Sequence, residues 1–340
     1  MNFQIYRNLQ ELEPLAATWN QLAAESASHV PFLRYEYLAA WWKTLGGGEW
    51  PKGELFVAVA RSETNELMGI APLFFTHNRD GKPALMFVGS IEISDYLDVI
   101  ARPADLAVFV EALLTQLTGP EVPPWEVIDL YNFLEDSPTL AALKEAANHL
   151  GLTYTQEQLQ PAPMIALPDD WETYLAGIDK KQRHEIRRKI RRAEAAEEGI
   201  HWYIVEDETT LDEEVDAFLA LMAYDPAKER FLTDVMRTQM KAAVHTAFQA
   251  GWLQLAFLEI GGLKAAAYLN FDYANQLWVY NSGLNFEMSY YSPGWVLLAY
   301  LIQWAIDNGR TAFDFMRGDE EYKYRFGGVH RFVQRVQIGR

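Results

Sequence analysis

The sequence contains no cysteine. Disulfide bonds, thiolate metal ligands and a cysteine nucleophile are therefore excluded, and the composition suits a reducing, cytoplasmic environment. The first residues, MNFQIYRNLQELEPL, lack the basic start and apolar core of a signal peptide. No apolar run approaches the roughly 18 residues of a membrane span, and WVLLAYLIQWAI at Trp295 to Ile306 is typical of a buried helix. The sequence thus predicts a cytoplasmic protein without membrane insertion.

Positive charge is also scarce. The 340 residues include 29 basic and 47 acidic side chains, which gives a net charge of −18. Such a surface repels the phosphates of nucleic acid, so DNA is not an expected partner. Half of the residues are hydrophobic, and the length is that of about two globular domains.

Several common active-site motifs are missing. The sequence has no GxxxxGK[ST] phosphate loop, no GxGxxG after a strand, no HExxH and no GxSxG. Its seven histidines are scattered, and no two have the spacing of metal ligands. We therefore expect neither a metal cofactor nor serine-hydrolase chemistry.

The two halves of the chain repeat one order of elements: hairpin, strand, helix, strand. In the first half the order is LFVAVARSETNELMGIAPLFF, then ALMFVG and YLDVIA, a helix near Ala104 to Leu117, and WEVIDLY. In the second half it is LQLAFLEI and LKAAAYLNF around Gly261-Gly262, then LWVYNSG, a helix at Pro293 to Asn308, and AFDFM. This pattern predicts an internally duplicated α/β fold with mixed sheets. The predicted halves are residues 1–152 and 153–340.

The segment SYYSPGWVLL leads from a polar loop into an apolar helix. Ser292 is a candidate N-cap, Pro293 suits the first helical position, and Gly294 leaves the following amides uncovered. Free N–H groups and the helix dipole favour a phosphate or pyrophosphate there. The alternative is an ordinary capped helix.

A basic segment, KKQRHEIRRKIRRAE, contrasts with the acidic chain. Eight Lys or Arg and two acids lie between Asp179 and Arg192, a local charge of +6. Ile186, Ile190 and Ala193 form a narrow apolar stripe at helical spacing. The excess favours a polyanionic ligand, such as a nucleotide, a diphosphate or a tRNA backbone. A solvated helix face paired with acids is the alternative.

Two further segments place acids beside tyrosines at strand ends. FDFMRGDEEYKYRFGG follows a core strand in the second half, and ISDYLDV lies in the first half. Each has a structural alternative: the first is a turn in which Asp314 and Arg317 pair and fix the backbone, and the second is a turn with one exposed aspartate.

These segments resemble the GNAT acetyltransferase superfamily in its duplicated branch. RRKIRRAEAAEEGIHWYIVED resembles the start of the catalytic half of the Fem peptidyltransferases, which add amino acids to peptidoglycan precursors. YNSGLN, SPG and FDFMRGDEEYKYRFG resemble the CelD-like proteins of exopolysaccharide or cellulose production. The similarity covers about Trp171 to Gly328 and reaches the first half through PFLRYEYLAAWW, IAPLFF and SDYLD. One departure is that YSPGW replaces the usual [QR]xxGx[GA] pyrophosphate loop.

The resemblance implies an acyl donor, acetyl-CoA or another acyl-CoA, lying between two splayed strands of the second half. It implies donor contacts from Tyr280, Asn281, Ser282, Ser292, Gly294, Trp295, Arg317 and Lys323. Candidate catalytic residues are Glu320, Tyr324, Asp314 and Asp95, with Glu320 or Asp319 as base and a tyrosine as acid. Candidate acceptor-binding residues are Tyr96, Asp98, Arg187, Arg188, Asp319 and Tyr322.

Three functions follow as hypotheses. The first is N-acyl transfer to an amino sugar or another small or sugar-linked amine, with the acceptor in a cleft between or beside two GNAT-like halves. The second is aminoacyl-tRNA-dependent amide formation, suggested by the basic helix. The third is a non-catalytic component of a polysaccharide-making assembly.

Overall fold

The computed structural model describes residues 1–340, which form two compact units. The first unit comprises Met1–Gln160 together with Phe332–Arg340, and the second comprises Pro161–Arg331. Each unit is built on its own mixed β-sheet. None of the helices combines the length and apolar character needed to cross a bilayer.

The chain contains fourteen strands. They are β1 (Asn2–Tyr6), β2 (Glu54–Arg61), β3 (Leu67–His77), β4 (Pro83–Phe87), β5 (Ile100–Ala101), β6 (Val127–Leu134), β7 (Thr153–Pro161), β8 (Met164–Ala166), β9 (Ile200–Ile204), β10 (Leu253–Ile260), β11 (Leu263–Tyr273), β12 (Gln276–Leu284), β13 (Ala312–Asp314) and β14 (Phe332–Gly339). The first sheet has the order β1-β2-β3-β4-β6-β14-β7, with β5 paired to β3. The second has the order β8-β13-β12-β11-β10-β9.

Twelve α-helices accompany the strands. They are α1 (Leu9–Leu12), α2 (Ala16–Glu25), α3 (Tyr35–Gly48), α4 (Leu106–Leu117), α5 (Pro138–His149), α6 (Trp171–Gly177), α7 (Lys180–Glu194), α8 (Leu211–Met222), α9 (Pro226–Phe231), α10 (Asp234–Gln249), α11 (Pro293–Asp307) and α12 (Glu321–Arg325). Helix α11 is apolar around most of its circumference, and ten of its residues are buried. A helix of that kind belongs in a core, as the sequence predicts.

The two units share one topology, which confirms the predicted duplication. Strands β1 to β4 are antiparallel neighbours, and so are β9 to β12. In each unit a helix, α4 or α11, then leads to a strand that pairs parallel with the last of the four: β6 with β4, and β13 with β12. Antiparallel hairpins followed by one parallel crossover give a mixed sheet.

The unit boundaries differ from the predicted division after residue 152. Strand β7 and the C-terminal strand β14 belong to the sheet of the first unit. The second unit is therefore an insertion between two strands of the first. The segment YLDVIA, predicted as a strand, is extended only at Ile100–Ala101, because residues 92–99 form an irregular loop.

A buried ion pair ties strand β14 to strand β6. The Asp129 carboxylate is fully buried and accepts hydrogen bonds from Arg335 Nε and Nη2, both at 2.8 Å, and from Asn78 Nδ2 at 2.8 Å. The Arg335 guanidinium also stacks over the Tyr131 ring, 4.5 Å from its centroid. A bidentate pair with these additional contacts fixes the register of the last strand.

We expect Asp129→Ala to lower the free energy of unfolding by about 3 kcal/mol, because it removes the buried bidentate partner of Arg335. Asp80 is a matched control, since its carboxylate lies 3.5 Å from the same guanidinium but is more than half exposed. Asp80→Ala should cost less than about 1 kcal/mol. Urea unfolding of both variants measures the difference, and equal losses would contradict the structural role of the pair.

Candidate active site

Strands β12 and β13 pair briefly and then separate. Their parallel register covers three residue pairs, from Gln276↔Ala312 to Trp278↔Asp314, whereas β12 continues to Leu284. On its other side β13 pairs with β8. Beyond Trp278, the edge of β12 that faces away from β11 therefore has no β13 residues opposite it.

A β-bulge coincides with this separation. Leu269 pairs with Asn281 and Asn270 pairs with Val279, so the ladder between β11 and β12 skips Tyr280. Bulges bend a strand and re-aim its side chains, often next to active sites. The three predicted donor-binding residues, Tyr280, Asn281 and Ser282, thus begin where the two strands part.

Helix α11 begins shortly after β12, but its first turn differs from the predicted cap. Ser292 adopts a left-handed conformation with φ 53°, and its side chain does not cap the helix. The N–H groups of Trp295 and Val296 both donate to the Ser292 carbonyl, at 3.0 and 3.1 Å. Fewer amides are therefore uncovered than the sequence predicts.

Gly294 serves close packing at this point. A Cβ atom on Gly294 would lie 2.7 Å from Leu284 Cδ2, so any larger residue there would displace the Leu284 side chain. The sequence prediction assigned this residue to uncovering amides; the structure gives it a packing role as well.

The basic helix α7 lies against the start of α11. Arg192 Nη2 donates to Ser292 Oγ at 2.8 Å, and the Arg192 guanidinium lies 5.1 Å from the Tyr290 ring centroid. The Lys189 ammonium lies 3.7 Å from the Trp295 ring centroid. Burial lowers the pKa of Lys189, while Glu185, 3.6 Å away, acts in the opposite direction. Two motifs that are a hundred residues apart in sequence thus form one cationic site.

The two arginines selected from the sequence lie elsewhere on α7. Arg187 forms an ion pair with Glu172 at 2.5 Å, and Arg188 forms one with Glu185 at 2.8 Å. For these two the alternative explanation, a solvated face paired with acids, describes the contacts. The predicted apolar stripe is confirmed, because Ile186, Ile190 and Ala193 pack into the core of the second unit. Lys189 and Arg192, which flank that stripe, were missed.

The contacts of Asp314 indicate a structural role. Its carboxylate is fully buried, pairs with Arg331 Nη2 and accepts a hydrogen bond from Met316 N–H at 2.7 Å. Met316 has a φ of 55°, and that hydrogen bond fixes the turn. Asp129 occupies the equivalent strand of the first unit and has an equivalent arginine pair. The predicted catalytic role of Asp314 does not fit a side chain without solvent access.

Lys323 is buried rather than presented to a phosphate. Its side chain is 3 % exposed, and its ammonium donates to the carbonyls of Met316, Arg317 and Gly318 at 3.3, 2.7 and 3.4 Å. It also lies 2.9 Å from Glu320 Oε2. Lys323 therefore holds the turn after β13 and orients Glu320, whose own side chain is 58 % exposed.

Two tyrosines of α12 differ in environment. The Tyr324 hydroxyl donates to Asp319 Oδ1 at 2.7 Å, and burial, aided by Asp319, raises its pKa to about 12. Tyr322 packs edge-on against Phe315, and burial raises its pKa well above the usual value. Both phenols stay protonated at neutral pH, so both can donate a proton or a hydrogen bond.

Lys228 on α9 is a site residue that sequence reasoning missed. Its Nζ lies 3.0 Å from Asn281 Oδ1 and 2.5 Å from the Ser282 carbonyl oxygen. Burial lowers its pKa, while Asp225 and Glu320 act in the opposite direction. A single lysine after an Asp-Pro helix start gives no signal of this contact in the sequence.

In the first unit, the corresponding opening between β4 and β6 is lined by the chain itself. Those strands pair at only two positions, and Leu97 N–H then donates to the Asn132 carbonyl on β6 at 2.9 Å. Asn132 Nδ2 donates to the carbonyls of Ile91 and Ser94. The loop of residues 88–99 therefore occupies the position that a ligand would need.

The predicted acceptor residues of that loop are buried. Asp98 accepts hydrogen bonds from Ser28, from Ser137 at 2.5 Å and from Val99 N–H at 2.7 Å, and burial raises its pKa. Tyr96 is 1 % exposed, and Asp95 is 9 % exposed. We assign Tyr96 and Asp98 to the fold rather than to acceptor binding, since neither side chain is accessible; a catalytic role for Asp95 stays a prediction.

Comparison with known proteins agrees with this geometry. The family described as acetyltransferase (GNAT) domain matches residues 180–324, so the second unit has the fold of a GNAT acyltransferase. The chain is similar to the crystal structure of FemX, with a TM-score of 0.63 and 11% identity over 98% of this chain and 97% of that one. It is also similar to a conserved protein of unknown function from Bacteroides thetaiotaomicron, with a TM-score of 0.60 and 11% identity over the whole of both chains.

The remaining comparison is negative. No curated protein matches the sequence. The structural similarities, at 11% identity, concern the fold, and the resemblance to CelD-like proteins stays a prediction.

The contacts of Lys323 indicate a structural role, whereas the exposed Glu320 of the same ion pair is available for chemistry. Lys323→Met should destabilise the protein by about 3 kcal/mol, because three carbonyls lose a buried cationic donor. Glu320→Gln, on the exposed side of the same pair, should cost less than about 1 kcal/mol. Thermal unfolding measures both. A large loss of stability in Glu320→Gln would contradict this division and would disqualify the variant as a probe of the base.

Proposed function

We propose that this protein is an N-acyltransferase that moves an acyl group, an acetyl group in the simplest case, from coenzyme A to an amine. The second unit binds the donor. The observation that carries the proposal is the separation of β12 from β13 beside a helix start that meets two cations of α7. We place the reaction in the cytoplasm.

The phosphate end of the donor fits the start of α11. A helix N-terminus favours an anion, and Arg192 and Lys189 add two positive charges at the same place. Both cations also contact aromatic rings, which helps to position them. Lys189 lies in addition 3.6 Å from Glu185. These contacts support pyrophosphate binding despite the absence of the usual glycine-rich loop.

The acyl end of the donor fits the edge of β12 that β13 does not cover. An extended chain with amide groups can pair with a strand edge as an added strand would. The bulge at Tyr280 and the residues after it provide such an edge, and it leads toward α11. The residues present therefore match a long donor with an acyl group at one end and phosphates at the other.

Exposed acids near this edge suit the amine acceptor. The amine must lose a proton as its nitrogen attacks the acyl carbon, and Glu320, held by Lys323, is the base that the structure favours. The hydroxyl of Tyr324 can return a proton to the leaving sulfur. The carboxylates would also attract a cationic amine such as that of an amino sugar or a sugar-linked precursor in exopolysaccharide or envelope synthesis.

Release of free coenzyme A tests this proposal. Purified protein incubated with acetyl-CoA and a panel of amino sugars should release thiol in proportion to product, and calorimetry should detect acetyl-CoA binding. Glu320→Gln should lower kcat at least tenfold, because the amine loses its base. No thiol release together with no acetyl-CoA binding would reject the proposal.

Two variants of helix α7 test the phosphate contact through their effect on acetyl-CoA binding. Arg192→Glu should weaken acetyl-CoA binding at least tenfold, since it replaces a charge-assisted contact by repulsion. Arg188→Glu, on the same helix but paired with Glu185, should change it less than about twofold. Equal effects would show that general charge, not the α11 site, governs binding.

A second candidate is transfer from aminoacyl-tRNA, which the +6 charge of residues 179–192 favours. A tRNA backbone would displace the surface acids from Arg187 and Arg188. Binding should then weaken steeply with salt, and replacing both arginines by glutamate should flatten the slope. Binding that is independent of salt would rule out this function.

A further inference from the structure

Lys228 contacts the strand edge on which the proposed function depends. Its Nζ donates to Asn281 Oδ1 at 3.0 Å and to the Ser282 carbonyl at 2.5 Å. Asn281 Oδ1 in turn accepts from Ser282 N–H at 2.9 Å. Both backbone groups of Ser282 are thus bonded to side chains.

The antiparallel ladder explains why these groups are available. Asn285 N–H donates to the Ala265 carbonyl, and bonded pairs alternate along an antiparallel ladder. By that alternation the N–H and C=O of Ser282 point away from β11. Strand β13 does not reach them, because its pairing with β12 ends at Trp278. Lys228 therefore lies at the edge that β13 does not cover, in the opening between the strands.

One of the three N–H groups of the Lys228 ammonium makes no short hydrogen bond. A lysine ammonium has three N–H groups, and the short contacts to Asn281 and Ser282 use two of them. The third faces Ser282 Oγ at 3.4 Å, beyond the usual range of a strong hydrogen bond. A carbonyl oxygen entering the opening would offer this N–H a better acceptor.

Charged groups around Lys228 act on its ammonium in both directions. Asp225 on its own helix and Glu320 on the turn after β13 stabilise the ammonium, whereas Lys323 on α12 opposes it. The same Glu320 is the favoured base. Lys228 on α9 therefore interacts electrostatically with Glu320 and Lys323, which follow β13 in the sequence.

We propose that Lys228 is a catalytic residue that stabilises the negative charge developing on the acyl oxygen during transfer. This inference rests on the proposed function. The amine nitrogen forms a bond to the thioester carbon, and the carbonyl electron pair moves to the oxygen, which accepts a hydrogen bond from the Lys228 N–H. When the pair returns, the carbon–sulfur bond breaks. The amine proton passes to Glu320, and the coenzyme A sulfur leaves with a proton from Tyr324.

Three variants test the assignment: Lys228→Met, Lys228→Arg and, as a control, Lys241→Met. Lys241 lies on α10, and its ammonium pairs with Asp216 at 2.6 Å. Lys228→Met should lower kcat about 100-fold while acetyl-CoA binding changes less than about threefold. Lys228→Arg should keep a substantial part of the activity, and Lys241→Met should behave as wild type.

The pH profile separates chemistry from structure. The ammonium is active and its pKa is lowered, so wild-type kcat should fall as pH rises through that pKa. In Lys228→Arg the guanidinium stays charged, so this alkaline fall should move to higher pH. An unmoved alkaline limb, or a Lys228→Met variant with kcat within threefold of wild type, would overturn the assignment.

Other outcomes also decide between explanations. Equal losses of donor binding, kcat and thermal stability in Lys228→Met would assign the lysine to the fold and overturn the inference. If wild-type protein itself binds no acetyl-CoA and releases no thiol, the proposed function fails and the inference fails with it. If wild-type protein binds acetyl-CoA and releases thiol but Lys228→Met does not show the expected loss of kcat, only the assignment of Lys228 is rejected.

Discussion

The parallel pairing of β12 with β13 is the constraint on which the site depends. It lasts for three residue pairs, after which β13 pairs only with β8 and β12 runs on alone. Backbone N–H and C=O groups that have no partner strand must form hydrogen bonds with other groups. In the second unit that role falls to Asn281 and Lys228.

The duplicated topology gives an internal control for this interpretation. In the first unit the equivalent opening is filled by the loop of residues 88–99, held to β6 through Asn132. The same sheet design therefore has a filled opening in one unit and a polar edge in the other. This difference explains why the donor site is assigned to the second unit, whose residues 180–324 also match the GNAT acetyltransferase domain.

Four charged residues of the second unit have specific positions at the candidate site. In a chain of net charge −18, Lys189 and Arg192 contact aromatic rings at the start of α11. Lys323 is buried among carbonyls and leaves Glu320 exposed. Because Lys323 is fixed by the turn, the free carboxylate oxygen of Glu320 can be directed at an acceptor.

The sequence predicted the repeated order of strands and helices because that order depends on local periodicity and turn residues. It did not predict that β14 returns to the first sheet, since pairing between distant strands leaves no local pattern. The motifs SPG and RRKIRR were identified, but their contact runs through Lys189 and Arg192 instead of the arginines selected. Asp314 and Asp98 were selected by residue type, and only burial reveals that they are bonded within the fold. Lys228 depends wholly on tertiary placement.

A crystal structure of the protein soaked with acetyl-CoA is the most direct test of the central claim. We expect density for the pyrophosphate between Arg192 and the first turn of α11, with the thioester oxygen beside Lys228 and the chain of the donor along β12. Density for the donor at any other place, with the edge at Ser282 unchanged, would contradict it.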